Sequence, residues 1–336
     1  MGLTLQSCRF LVEALRAGAV PGRVLTLGRQ SLWVSPERLS DLLLEAGLTP
    51  EAGARERWTA ALAEARDRLE VFLTLLGATS VQAADASAYE GAELIHDFNH
   101  PIPAALEQQF DWIVDGGTLE HIFNFPTALR NCMRMLRVGG RLFLFTPANN
   151  YCGHGFYQFS PELFYRVLAP ENGFEVERLQ AVVDTAGFSR VLGVKYAFPI
   201  TGPRYAVADP AQVKDRVLLV NAEPVLLFVQ AHRTRLVDPL GTAPQQSDYV
   251  GHWTAGKAPE PLQQTARGAR LVAWLTRRLG ERFCRETLPR LARWLDPLRK
   301  RRFFRQLSFA NRHHYRPAPA PGQKPAQCAA PAPNPP

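Results

Sequence analysis

The chain has 336 residues, 46% apolar and 21% charged, with a formal net charge of +8, enough for one large α/β core with appendages. Its five cysteines, Cys8, Cys132, Cys152, Cys284 and Cys328, form no C-x-x-C pair, which argues against a zinc framework or a disulfide scaffold. No apolar stretch reaches the roughly 20 residues needed to span a bilayer and no signal peptide is evident, so a cytoplasmic protein is expected.

The start, MGLTLQSCRFLVEALRAG, puts Leu5, Phe10, Leu11, Ala14 and Leu15 at helical spacing and predicts an amphipathic helix packed on a sheet. GRVLTLG predicts a strand ending at Gly28. Ser35-Pro36-Glu37 supplies an N-cap serine and a first-turn proline for a helix to about Ala46, stopped by Gly47. Thr49-Pro50-Glu51 starts a second helix with an apolar face of Trp58, Leu62, Leu69, Phe72, Leu73 and Leu76, stopped by Gly77. The two form a helical insertion over about 35–77. TSVQAADAS and AELIHDFNHPIP read as two more strands, with Asp85 and Asp97 at their ends.

The run from Gln109 to Asn150 is the most ordered part of the pattern. FDWIVDG is a short apolar run ending in Asp-Gly-Gly, as in a buried parallel strand. FPTALRNCMRML is helical, with Ala128, Leu129, Cys132, Met133 and Leu136 on one face, and the glycines of RVGG should stop it. RLFLFTP is the next strand. Ligands of open α/β sheets sit beyond the carboxyl ends of strands. Asp115-Gly116-Gly117, Glu120-His121 and the stretch from Pro147 to His154 all fall there. The loop before the helix PELFYRVLA carries Asn149, Asn150, Tyr151, His154, Tyr157 and Gln158, aromatic surfaces with polar handles that suit a small-molecule site. His154 is a candidate general base there, because an unperturbed imidazole titrates near pH 6.5, and His121 has similar standing.

These motifs resemble the class I S-adenosylmethionine-dependent methyltransferases. The residues that carry the resemblance, in order, are Phe110, Asp111, Leu119, Glu120, His121, Arg134, Leu136, Arg137, Gly139, Gly140, Thr146, Pro147 and Asn149. It extends from about Val24 to Leu179 and says little beyond about Val229. It implies a doubly wound, mostly parallel, seven-stranded Rossmann-like sheet, with S-adenosylmethionine as cofactor. It also implies cofactor-binding roles for Gly28, Asp85 (ribose hydroxyls), Asp97 (adenine amino group), Asp115 and Gly116. The first loop departs from the family: only Gly28 remains of G-x-G-x-G, and Thr26 stands where an acidic residue usually stands. Some family members hold Mg²⁺ at the later loop through E-x-x-E-H and a distal histidine. Here Gly117 replaces the first glutamate, so Glu120, His121 and His154 form a partial set and no metal is expected.

FEVERLQAVV and EPVLLFVQAHR read as the last two strands, the latter often antiparallel in the family. The segment between them is irregular, and QQSDYVGHW reads as a docking segment. Residues 1–255 are thus expected to form the methyltransferase-like domain. From Arg267 to Arg316 the chain carries 15 Arg and Lys against three acidic residues, so the rest of the molecule is mildly acidic. Residues 256–316 therefore read as a basic amphipathic helical appendage, suited to an anionic membrane surface or to simple docking. No RNA-binding module is recognisable, and nucleic acid is not an expected partner. Residues 317–336, rich in Pro and Ala, read as a disordered tail. The expected function is O- or N-methyl transfer to a small molecule or saccharide. The alternative is a non-catalytic methyltransferase-like binding or scaffold protein.

Overall fold

The computed structural model describes residues 2–48, 51–65, 68–184, 202–254, 266–281, 283 and 307–319. Its centre is a nine-stranded sheet in the order β11-β9-β8-β10-β7-β6-β2-β4-β5. These strands are β2 (Arg23–Leu27), β4 (Ser80–Asp85), β5 (Leu94–Ile95), β6 (Phe110–Asp115), β7 (Leu136–Pro147), β8 (Phe174–Val183), β9 (Arg204–Val207), β10 (Val225–Arg233) and β11 (Tyr315–Pro317). A two-stranded parallel pair, β1 (Gly2–Leu3) with β3 (Ser31–Leu32), stands apart.

The half from β5 to β7 is parallel, and the half from β7 to β11 pairs antiparallel. The sheet is therefore larger and more mixed than the seven strands expected. The extra strands, β9 and β11, come from the irregular segment and from residues assigned to the appendage and the tail. β2 lies between β4 and β6, so the chain winds to one side and then to the other, and a crevice opens where the direction changes.

Strand alternation explains why both faces are covered. Along β7, Leu142 and Leu144 join one buried cluster while Phe143 and Phe145 join the other. Ile113 faces the first, and Trp112 and Val114 face the second. Every residue of β6 is buried, as a central parallel strand requires. One face packs α5 (Phe125–Met135) and α6 (Pro161–Val167); the other packs α1 (Leu5–Arg16), α2 (Pro36–Glu45), α3 (Ala54–Glu64) and α4 (Leu69–Leu75). Phe10 of α1 makes edge contacts with Phe145 and Phe228, at ring-centroid distances of 5.9 and 5.7 Å.

Helix starts follow their caps. Ser35 and Ser160 accept from the N–H groups of Arg38 and Leu163, with prolines in the first turn. Two helix boundaries differ from expectation. The second helix of the insertion is broken into α3 and α4, because Leu69 N–H donates to Gln30 O at 3.1 Å and Arg68 bridges to Ser31. α5 ends at Met135, one turn ahead of the glycines, because Leu136 already pairs with Phe110 of β6. The docking segment is a helix, α8 (Ser247–Thr254), which follows the short α7 (Pro210–Val213). Ser247 donates from its N–H and its hydroxyl to Glu162 of α6, and Arg216 pairs with Asp248.

Of the basic appendage, α9 (Ala266–Leu279) is described; its second apolar stripe and RKRRFFRQ lie outside the described residues, as does most of the tail. Residues 307–319 return to the sheet. Tyr315 is buried, Phe309 stacks on Tyr205 at 4.2 Å, and β11 pairs with β9. No helix among the described residues is long and apolar enough to cross a membrane.

Candidate functional site

The carboxyl ends of β2, β4 and β6 surround the crevice. Gly28 follows β2 with φ +67°, and its N–H donates to Ala84 O at 2.7 Å. Asp85 ends the neighbouring strand. A Cβ placed on Gly28 would stand 3.8 Å from Asp85 Oδ2 and 3.1 Å from Thr118 Oγ1. Gly28 and Asp85 are therefore side by side at neighbouring strand ends. Asp85 is partly exposed and accepts from Ser87 N–H at 3.4 Å.

The loop after β2 splits its side chains. Arg29 turns toward the rim and pairs with Glu70 at 3.0 Å and with Glu93. Gln30 turns inward and is buried. Its Nε2 donates to Leu27 O and, at 3.3 Å, to Thr118 Oγ1, while Oε1 has no partner. Gln30 Oε1 and Leu3 Cδ1 would stand 2.5 and 2.7 Å from a Cβ on Gly116, so a side chain just past β6 would have to push both aside. The crevice beside Gly116 is thus narrowed by the chain's own Gln30 and Leu3.

Asp115, at the end of β6, is fully buried. Its Oδ1 accepts from Thr118 N–H at 2.8 Å, and its Oδ2 has no partner. Thr118 also donates its hydroxyl to Leu27 O at 2.6 Å, which ties the β6 loop to β2. Thr118 was not singled out from the sequence, although an Asp followed three residues later by Thr is a recognisable turn spacing. Glu120 lies on the 3₁₀ turn Leu119–His121, and its carboxylate is 1% exposed with Oε2 unpartnered. Burial raises the pKa of both Asp115 and Glu120, and the two carboxyls repel each other, which raises Glu120 further.

Glu120 meets the loop after β7. Phe156 N–H donates to Glu120 O at 2.8 Å, and Gly155, with φ +76°, permits this approach, since its Cβ would lie 2.7 Å from that oxygen. His154 is thereby brought to the carboxylate: its Nε2 is 3.4 Å from Glu120 Oε1, and His121 Nε2 is 4.0 Å from the same atom. The two imidazole rings meet edge to face at 5.2 Å. Burial lowers the His121 pKa, which keeps the ring neutral at pH 7 and able to accept a proton. Tyr151 donates to Asp184 beneath this loop, and Gln158 Oε1 accepts from Tyr151 N–H at 3.0 Å. At the mouth, Phe123 and Phe156 are largely exposed and in edge contact at 5.7 Å; they stand 33 positions apart in the chain, and no local pattern announces the contact.

The structure thus brings Asp115, Gly116, Glu120, His121 and His154 to one place, with Gly28 and Asp85 at the neighbouring strand ends. Asp97 is differently engaged. It is half-exposed and accepts from Asn99 N–H at 2.9 Å and Asn99 Nδ2 at 2.8 Å, and its other oxygen is 3.3 Å from His100 Nδ1. The bonds from Asn99, the backbone one first, hold its pKa below the usual carboxylate value. Asn99 in turn anchors Asn124 at the start of α5.

No family model matches the sequence, and no curated protein matches it. Solved structures similar to this chain include methyltransferases and a branched-chain polyamine synthase. A Bacillus halodurans protein assigned as a methyltransferase is 12% identical, with a TM-score of 0.36; the match covers 67% of this chain and 99% of that one. The 1,6-didemethyltoxoflavin-N1-methyltransferase of Burkholderia thailandensis, crystallised with 1,6-didemethyltoxoflavin and S-adenosylhomocysteine, is 13% identical, with a TM-score of 0.33 over 69% of this chain and 78% of that one. A SAM-dependent methyltransferase of Thermotoga maritima is 14% identical, with a TM-score of 0.32 over 68% and 89%. At these values the likeness is one of general architecture. The strand order and the residues at the strand ends carry the argument that follows.

Proposed function

We propose that this protein is an S-adenosylmethionine-dependent methyltransferase acting on a small-molecule acceptor. One observation carries the reading. Gln30 Oε1, Asp115 Oδ2 and Glu120 Oε2 are all buried without a hydrogen-bond partner, and all come from the loops at the carboxyl ends of β2 and β6. Buried polar atoms are nearly always satisfied, so an excess of acceptors in one crevice calls for a ligand that brings donors and positive charge. S-adenosylmethionine brings an ammonium group, ribose hydroxyls and a sulfonium, so the residues present fit it.

In this reading Asp85 accepts from ribose hydroxyls beside Gly28, as a carboxylate with two oxygens can. Asp115, Gly116 and Gln30 line the inner end, and Asp97 lies at the outer edge. The cofactor supplies an electrophilic methyl group; the chain's part is to align the acceptor and exclude water. Phe123 and Phe156 give the acceptor an apolar surface at the mouth. Neutral His121, with His154 beside it, takes the proton that a hydroxyl or amine acceptor releases.

Calorimetric titration with S-adenosylmethionine and S-adenosylhomocysteine tests this directly. The expected result is saturable binding that weakens at least about tenfold in Asp85→Ala, a loss of about 1.4 kcal/mol. Absence of binding to the folded protein at millimolar ligand would refute it. The narrowing of the crevice by Gln30 and Leu3 would then mark a non-catalytic binding module.

A further inference from the structure

We infer that Glu120, His121 and His154 form a binding site for a divalent first-row transition-metal ion. One carboxylate oxygen and two imidazole nitrogens, one from each residue, lie within 4.8 Å of one another. Donors that share an ion at about 2.0–2.2 Å stand roughly 3–3.5 Å apart. The Glu120–His154 separation of 3.4 Å already has that value; the Glu120–His121 separation of 4.0 Å, and the two imidazole nitrogens, which lie within 4.8 Å of each other, need to contract for a shared ion. An ion pair between Glu120 and His154 alone would leave Glu120 Oε2 with no partner, as it stands now, 1% exposed. An ion held at Oε1 offsets the burial of the negative charge, and a bidentate carboxylate would also give Oε2 a partner.

The backbone fixes these donors before any ion arrives. His121 N–H closes the 3₁₀ turn on Thr118 O at 3.0 Å. His154 lies between the bond from its own N–H to Tyr151 O, at 2.9 Å, and the bond from Phe156 N–H to Glu120 O, at 2.8 Å. Preset ligands lose little entropy on binding. Two nitrogens and one oxygen suit zinc, iron, cobalt, nickel or manganese better than Mg²⁺ or Ca²⁺, which take oxygen donors. Three protein ligands leave positions open, as in catalytic rather than structural sites. The imidazoles are 42% and 43% exposed, so those positions are within reach of solvent. If the methyl-transfer reading holds, a bound ion would take over the role of the free histidines, lowering the pKa of an acceptor hydroxyl bound to it.

Titration of the chelator-stripped full chain with CoCl₂, followed by visible d–d absorption, tests the site without S-adenosylmethionine. This keeps it distinct from the cofactor reading. The expected result is saturation at one Co²⁺ per chain, with an intense four- or five-coordinate spectrum that ZnCl₂ displaces. His154→Ala and His121→Gln should each weaken binding more than about 100-fold, beyond the 10- to 100-fold typical of an outer-shell change. Circular dichroism of each variant separates ligand loss from misfolding, and Glu120→Gln serves where a histidine variant does not fold. Non-saturable absorption in the wild-type chain, or unchanged binding in the folded variants, would overturn the inference.

Discussion

Replacing Asp115 by asparagine is expected to stabilise the metal-free protein above neutral pH and to change it little near pH 4. Asp115 is fully buried, and its pKa is raised from the ordinary 3.8 to about 7 by burial. The sign follows from proton counting. Between those two values the folded chain holds a proton that the unfolded chain has released, so stability falls as pH rises, and the full cost is reached above about 7. That cost is at most about 4 kcal/mol, and somewhat less than half of it is already present at about pH 5. Asparagine removes the titration and keeps an Oδ1 that accepts from Thr118 N–H at 2.8 Å. The stability of the variant relative to wild type should therefore rise by about 2 kcal/mol between about pH 5 and about pH 8. Urea unfolding of both proteins at the two pH values, with chelator present, measures it. A difference that is flat with pH, or that falls, would refute the assignment of Asp115 as a buried carboxyl with a raised pKa.

Phe10→Ala should cost about 3–5 kcal/mol, because Phe10 is fully buried between Phe145 and Phe228 and the rigid sheet cannot close the cavity. A loss under about 1 kcal/mol in urea unfolding would contradict that packing. Glu13→Ala should destabilise by about 2–4 kcal/mol, since it strips the carboxylate from Arg178 and Arg204, at 2.9 and 2.7 Å, both largely buried. Glu13→Gln, which keeps some acceptors, should lose less, and equal losses would point to packing alone. Gly116→Ala should cost about 1–3 kcal/mol by forcing Gln30 and Leu3 aside. Gln30→Ala in the same chain should recover part of that loss, and strict additivity of the two changes would show that Gln30 does not face Gly116.

Most of the sheet and its two helical layers are legible in the residue pattern alone. The apolar run of β6, the alternation in β7 and the serine-proline caps of α2 and α6 are local patterns, which physics reads within a window of about a dozen residues. The strand-end positions of Asp85, Asp115 and Glu120 were legible for the same reason. The features set by folding involve residues far apart in the chain. Gln30 O captures Leu69 N–H and breaks one predicted helix into two, a backbone bond across 39 positions that no periodicity announces. The strand Tyr315–Pro317 adds to the edge strand β9, although its residues straddle the end of the expected helical appendage and the start of the expected disordered tail. The convergence of Glu120 and His154 depends on Gly155 coming within contact of the Glu120 backbone, so that a buried carboxylate and two imidazoles share one point in space. Residue types and spacing set which groups can do chemistry; the closing of long loops over a twisted sheet sets which of them meet.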